Sequence, residues 1–119
     1  MIAWRPLSWL AGLLLSAAAA CAQPVSVVDD RGVAVSLQRP PQRIVTLLPS
    51  LSETVCALGA CGRLVGVDTY SNWPDAVKAL PHVGGLDDAQ VERIVSLKPD
   101  LVLAATSTRA VARLESLGL

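Results

Sequence analysis

The sequence predicts an α/β fold in which a parallel sheet carries helices on both faces, preceded by a β-hairpin. From Arg43 onward, three short apolar runs, "RIVTLLP", "RLVGVDTY" and "DLVLAA", alternate with segments of helical periodicity. Continuous apolar runs are typical of strands that are buried on both faces. Alternating strands and helices predict a three-layer parallel sheet with right-handed crossovers.

Residues 1–22 have the layout of a secretory signal peptide. Arg5 precedes the apolar run "LSWLAGLLLSAAAA", which ends in small residues. The A-x-A arrangement around Cys21 predicts cleavage before Gln23, which leaves no stable membrane span. Lipid attachment at Cys21 is the alternative, although Ala18 stands where a lipobox usually has Leu. Export predicts a periplasmic protein, in a compartment where disulfides persist.

Residues 23–42 are predicted to form the β-hairpin and a Pro-rich linker. The Val-rich runs "VSVVDD" and "GVAVSL" meet at Asp-Arg-Gly, which is favourable turn chemistry. The linker "QRPPQ" then interrupts regular structure, because neighbouring prolines cannot donate to a strand ladder.

Residues 43–119 are predicted to form an α/β lobe. After the first strand, Ser50 or Ser52 is expected to cap a helix that runs to about Leu58, with Gly59 as a left-handed terminator. After the second strand, the prolines and glycines of "SNWPDAVKALPHVGG" predict a loop with one short helix.

Two further helices complete the pattern. Asp87 or Asp88 is expected to cap "AQVERIVSLK", whose apolar residues lie largely along one helical face. Pro99 should end that helix. The strand "DLVLAA" follows, and Ser107 or Thr108 is expected to cap the last helix.

Composition and motifs argue against several function classes. Ten Lys plus Arg balance ten Asp plus Glu, which is unlike the basic surface of a nucleic-acid-binding protein. G-x-S-x-G, G-x-G-x-x-G and P-loop motifs are missing from the sequence, and no cofactor is predicted. An α/β hydrolase-like enzyme that uses Ser50 or Ser52 remains an alternative, since both follow a strand. The lone His82 is more typical of a packed or solvated residue than of a general base.

Cys56 and Cys61 are candidates for a disulfide. With His82 they lack the spacing of a metal site, so no metal is predicted. Residues five apart on an unbroken helix are too distant to bridge, but a chain reversal at Gly59 would bring the thiols together. Two separate buried thiols are the alternative.

Tyr70 and Trp73 are the aromatic residues that follow the signal. Both come after the second predicted strand, and ligands of open α/β sheets collect at the carboxyl ends of strands. Aromatic walls suit flat apolar ligands. A hydrophobic plug over the loop is equally compatible with the pattern. Glu53 is expected in the first turn of the helix after the first strand, where the helix dipole favours a carboxylate.

The motifs "P-S-x-S-E", "G-V-D-x-Y-S", "V-G-G" and "E-R-I-V-x-L-K-P-D-L-V", in this order, resemble one family. They are similar to the amino-terminal lobe of the periplasmic binding proteins for vitamin B12, haem and iron siderophores, which serve ABC importers. The family has two α/β lobes joined by a long helix, with ligand held between them. Because only the first lobe is matched, we expect residues 43–119 to be a truncated lobe.

The resemblance implies a non-enzymatic periplasmic receptor for a metal-bearing ligand, with cobalamin as the first candidate and a siderophore or haem as the alternative. It implies that Glu53 docks on arginines of the importer's transmembrane permease. Tyr70 matches a position that lines the corrin pocket, and Trp73, Gly85 and Leu86 are expected nearby. A vitamin B12 receptor would be expected to have an aromatic residue near Leu86, and this sequence has none there.

Overall fold

A computed structural model describes residues 23–119 of the chain. The predicted signal peptide, residues 1–22, and the lipidation site Cys21 lie outside the described residues. Within residues 23–119, every helix is too short or too polar to cross a bilayer.

The hairpin is confirmed. Strands β1 (Val25–Val28) and β2 (Ala34–Leu37) are antiparallel, with Val25 opposite Leu37. The Asp29 carboxylate organises the turn by accepting the backbone N–H of Val33 and of Arg31, each over 2.9 Å. The bond from Val33 and the Arg31 guanidinium hold the pKa of Asp29 below its ordinary value. Arg31 also contacts Glu115 over 2.6 Å, which ties the hairpin to the lobe.

The parallel sheet is also confirmed. Strand β3 (Ile44–Thr46) lies between β4 (Leu64–Gly66) and β5 (Leu101–Leu103). Ile44 is level with Leu64 on one side and with Leu101 on the other. All three strands run in the same direction, so their carboxyl ends form one edge of the sheet.

Helices connect the strands. They are α1 (Pro49–Ala57), α2 (Val91–Ser96) and α3 (Val111–Ser116). Two 3₁₀ turns, Cys61–Arg63 and Asp75–Ala79, lie before and after β4. The second turn is the short helix that was predicted in the long loop.

Helices lie on both faces of the sheet, as predicted, because neighbouring residues of β3 point to opposite sides. Ile44 belongs to a buried cluster with Val55 of α1. Its neighbour Val45 belongs to a second cluster, with Ile94 of α2 and Leu114 of α3. The central strand therefore supplies one residue to each of two apolar layers.

The predicted serine cap of α1 is wrong. Leu48 occupies the cap position and makes no side-chain cap bond, while Pro49 begins the helix. Proline suits this position because its φ is already helical and it has no N–H to satisfy. Ser50 is exposed, and Ser52 is fully buried in the second turn.

The predicted caps of α2 and α3 are wrong as well. Gln90 precedes α2 and Ala110 precedes α3, and neither helix has a side-chain cap. Asp88 instead accepts the backbone N–H of Gly85 over 2.9 Å, inside the preceding loop. Thr108 is 4% exposed, and its hydroxyl is unpaired within residues 23–119. The Asp88 side chain thus stabilises the loop before α2, whereas the Thr108 side chain makes no bond to the start of α3.

Helix α1 ends just before the left-handed Gly59, as predicted from the sequence. Gly59 has a left-handed φ of 80°, and Ala60 donates its N–H to the Val55 carbonyl over 3.0 Å. This reversal is the helix-ending geometry that glycine favours. It brings the Cα atoms of Cys56 and Cys61 to 4.0 Å, and the two residues form a disulfide.

Asp100 fixes the linker to the lobe. Its carboxylate accepts the backbone N–H of Gln42 over 2.8 Å and that of Arg43 over 2.9 Å. Partial burial opposes ionisation of Asp100, but these two bonds, together with its own backbone N–H and the Arg39 charge, hold the pKa below its ordinary value. The Arg43 guanidinium in turn contacts the Leu97 carbonyl over 2.6 Å, at the end of α2.

Candidate functional site

Three loops meet at the carboxyl edge of the sheet. Thr69, after β4, donates its N–H to the Gly84 carbonyl over 3.3 Å. Arg109, after β5, donates its N–H to the Leu86 carbonyl over 3.1 Å, and its guanidinium lies 3.2 Å from the Asp87 carboxylate. These bonds tie residues 67–73, 82–88 and 104–109 into one surface. The loops that carry Tyr70, Gly85 and Leu86 are therefore neighbours.

The Gly pair of the middle loop has a physical reason at Gly84. Its φ is 84°, and a Cβ there would collide with the carbonyl of Asp88. A side chain would therefore be strained by both the backbone and its surroundings. Gly85 is buried and Leu86 is half-buried. Gly85 and Leu86 therefore lie mostly beneath the surface of the carboxyl edge.

Tyr70 and Trp73 have exposed side chains. Tyr70 is 76% exposed and Trp73 is 63% exposed. A hydrophobic plug would bury its rings, so the exposure argues against that hypothesis. Two exposed rings within four residues are apolar surface that is free to contact a ligand.

A buried chain of polar side chains lies beneath this loop. The Thr46 hydroxyl is 2.6 Å from that of Ser52, which is 2.7 Å from that of Ser71. Ser71 then donates to the Asp68 carboxylate. The members are 0 to 3% exposed, so each hydroxyl depends on its protein partners for hydrogen bonding.

Asp68 organises the loop after β4. One carboxylate oxygen accepts from Ser71, and the other accepts the Tyr70 N–H over 2.8 Å. An aspartate that bonds the backbone two residues later forms an Asx turn. The backbone carbonyl of Asp68 lies 3.0 Å from Nδ1 of His82. The half-buried His82 therefore packs against the turn, as its sequence context suggested.

The hydrolase alternative lacks supporting geometry. Ser52 has no exposed surface, and its hydroxyl bonds Thr46 and Ser71. Nδ1 of the one histidine faces a backbone carbonyl. A nucleophilic serine needs access to substrate and a base within hydrogen-bond reach. Ser50 is exposed, and its carbonyl accepts a hydrogen bond from the Thr54 hydroxyl over 2.7 Å.

Glu53 is exposed on α1. The first turn of that helix has no acidic residue, so placing Glu53 there was wrong. It is the fifth helical residue, about 6 Å along the axis from Pro49 at 1.5 Å per residue. The ion pairs found within residues 23–119 leave Glu53 out, so its carboxylate is available to an external partner.

Sequence reasoning missed the polar chain. Thr46 was assigned only to a strand, Asp68 and Ser71 only to motifs, and Ser52 to a cap or nucleophile. A hydroxyl inside an apolar strand followed by "D-x-Y-S" was the available signal. In the described part of the chain, no group of three His, Cys, Asp or Glu could hold a metal.

The family model described as "Periplasmic binding protein" matches residues 44–117. The substrate-binding lipoprotein YvrC of Bacillus subtilis, named as an uncharacterized ABC transporter protein, is 38% identical over 101 residues, covering 81% of this chain and 32% of its own. A Vitamin B12-binding protein of Yersinia pestis is 40% identical over 81 residues, covering 66% and 29%.

A solved structure is also similar to this chain, and it too is a periplasmic binding protein. The periplasmic heme binding protein from Pseudomonas aeruginosa aligns with a TM-score of 0.63 and 40% identity, covering 67% of this chain and 30% of its own. The chain thus spans about a third of the length of the proteins it matches.

Proposed function

The chain belongs to the periplasmic binding protein family, and on that premise we propose that it serves as the solute-binding component of an ABC importer. The cargo is a metal-bearing macrocycle or chelate. Cobalamin is the first candidate, and haem or a ferric siderophore is the alternative. The protein holds its cargo without changing it covalently, and the importer's permease is its protein partner.

The observation that carries the proposal is the exposed aromatic pair at the carboxyl edge. Tyr70 is 76% exposed, and its loop is held by backbone hydrogen bonds to the neighbouring loop and by the Asp68 side chain. A ring presented on a fixed loop can stack on a flat ligand without a large ordering cost. Ligand sites of open α/β sheets lie at this edge.

Cargo choice depends on what Tyr70 supplies. For a corrin, the ring supplies a face for packing, and the phenol oxygen is dispensable. For haem, a tyrosine oxygen can also act as an axial ligand to iron. Relatives at 40% identity include one named for vitamin B12 and one named for heme, so identity favours neither. Tyr70→Phe separates the two roles.

Glu53 is proposed as the docking group for the permease. Its carboxylate is exposed on α1, the helix that begins at the edge where Tyr70 lies. A carboxylate is a good bidentate partner for arginine. A docking group on the helix that flanks the cleft would place the cargo close to the permease entrance.

Localisation follows from the predicted signal. We propose export to the periplasm after cleavage before Gln23. Anchoring through lipid on Cys21 is the alternative, and one relative is itself named a lipoprotein. Radiolabelled fatty acid would label the wild-type protein and not Cys21→Ser if the alternative holds.

The test is a titration with cyanocobalamin, hemin and a ferric siderophore. Because the aligned segment covers only 29% of the Yersinia pestis protein, residues 44–117 should replace the matching segment of that protein. The folded chimera is expected to bind one of the three tightly, and Tyr70→Ala should weaken that binding. A folded chimera that binds none of them would overturn the proposal.

A further inference from the structure

We propose that Ser52 and Ser71 are positioning residues that fix the Tyr70 loop to helix α1. The inference rests on the proposed function, because it concerns how the ligand-facing ring and the docking carboxylate are held together. Ser52 immediately precedes Glu53, and Ser71 immediately follows Tyr70. Their hydroxyls are 2.7 Å apart.

The Ser52–Ser71 hydrogen bond is the link that fixes the geometry between α1 and the Tyr70 loop. Within residues 23–119, the Ser52–Ser71 contact is the side-chain hydrogen bond that joins α1 to residues 67–73. Apolar packing also links them, in the cluster that contains Val55 and Val67. Apolar packing is non-directional, whereas a hydrogen bond fixes distance and angle.

Donor and acceptor capacity gives the chain a direction. An ionised carboxylate only accepts, so Ser71 donates to Asp68 and must accept from Ser52. Ser52 then accepts from Thr46 of the central strand. The hydroxyl protons therefore all point from β3 toward Asp68, and the other Asp68 oxygen accepts the Tyr70 N–H.

Such a chain functions as a unit. Removing one buried hydroxyl leaves its partners short of a bond and loosens the members beyond it. Removal of the Ser71 hydroxyl frees the carboxylate that orients the Tyr70 backbone. Removal of the Ser52 hydroxyl detaches the same group from α1. Both changes should therefore loosen the same loop.

The experiment is residue-resolved amide hydrogen exchange on the full chain. Ser52→Ala and Ser71→Ala are compared with Ser50→Ala, a matched control because Ser50 is exposed on the same helix. We expect exchange of the Tyr70 amide to rise about tenfold in the first two variants. The Val83 amide, which bonds the Val67 carbonyl over 2.9 Å, should change less than about twofold.

A rescue variant separates positioning from general stability. Ser71→Thr keeps the hydroxyl and should restore slow exchange at Tyr70. If the alanine variants leave Tyr70 exchange unchanged, or speed Tyr70 and Val83 equally, the positioning role is overturned. The exchange result needs no ligand, so it stands or fails independently of the cargo.

The same substitutions in the chimera connect the link to cargo binding. Ser71→Ala should lower the affinity for whichever of cyanocobalamin or hemin binds by about tenfold, and Ser50→Ala should not. Unchanged affinity in Ser71→Ala would overturn the positioning role even if exchange is faster. Failure of the unsubstituted, folded chimera to bind cyanocobalamin, hemin or the ferric siderophore would instead overturn the proposed function alone.

Discussion

The backbone N–H of Thr69 donates to the carbonyl of Gly84 over 3.3 Å, and this bond joins the loop that carries Tyr70 to the loop that carries Leu86. The chain at Gly84 has a φ of 84°, a conformation that glycine adopts without steric cost. A glycine thus lies at the point where two loops of the carboxyl edge meet.

Gly84→Ala should therefore be strongly destabilising. The added Cβ would collide with the Asp88 carbonyl, in a backbone region that costs an L-residue about 1–2 kcal/mol by itself. We expect a loss of about 3 kcal/mol or more in the free energy of unfolding, measured by urea denaturation. Gly32→Ala is the control: Gly32 has a φ of 77° with open space around it, and should lose only the backbone part. Equal losses would contradict the steric explanation.

The sheet could be predicted from the sequence because its strands are buried on both faces. Burial selects continuous apolar runs, and "RIVTLLP" contains both Ile44 and Val45, which pack into opposite layers. The alternation of strands and helices then fixed the layer order. Local sequence was sufficient for these features because the hydrophobic pattern and the fold agree.

Helix caps and the polar chain were not predictable in the same way. Ser52 is a good cap residue by type, yet tertiary contacts place its hydroxyl against Thr46 and Ser71. Nineteen residues separate Ser52 from Ser71, so the pairing depends on how the strands align. Cap preferences of single residues are weak compared with satisfying a buried hydroxyl.

The Cys56–Cys61 pair should resist alkylation in the exported protein until it is reduced. We expect no iodoacetamide adducts in native Cys21→Ser protein, and two after reduction, counted by mass spectrometry. Because the closed loop is short, loss of the crosslink should cost roughly 2 kcal/mol of unfolding free energy. Prompt double labelling of unreduced protein would show that the thiols are free.

Asp100 should contribute stability that acid removes. Its pKa is held below the ordinary value of 3.8, so its contribution is fully present above that value. The contribution is lost as the pH falls through the lower folded-state pKa. Asp100→Asn binds no proton, so its unfolding free energy should fall less between about pH 5 and pH 2 than that of the wild type. An equal fall in the two proteins would contradict the stabilising role of the Asp100 carboxylate.

Glu53→Arg should weaken the complex with the permease and leave cargo binding nearly intact. Loss of a charge-assisted pair costs on the order of 2–5 kcal/mol when the partner charge stays buried. Glu92→Arg makes the same charge change on α2 and should bind normally. The measurement is affinity for the permease in nanodiscs, with transport as a second readout. Normal transport by Glu53→Arg would show that Glu53 has no docking role and acts only within α1.

Tyr70 provides the sharpest test of the cargo. If its exposed ring stacks on a flat macrocycle, Tyr70→Ala should cost about 1–3 kcal/mol, roughly ten- to a hundredfold in affinity, by calorimetry on the chimera. Tyr70→Phe keeps the ring and should bind cyanocobalamin as tightly as wild type. For hemin, a loss of the phenol oxygen should change the iron absorption spectrum if that oxygen is a ligand. Leu58→Ala, at a residue 80% exposed beyond the end of α1, is the control for removing apolar surface. Tight binding by Tyr70→Ala would show that other residues of the carboxyl edge contact the ligand.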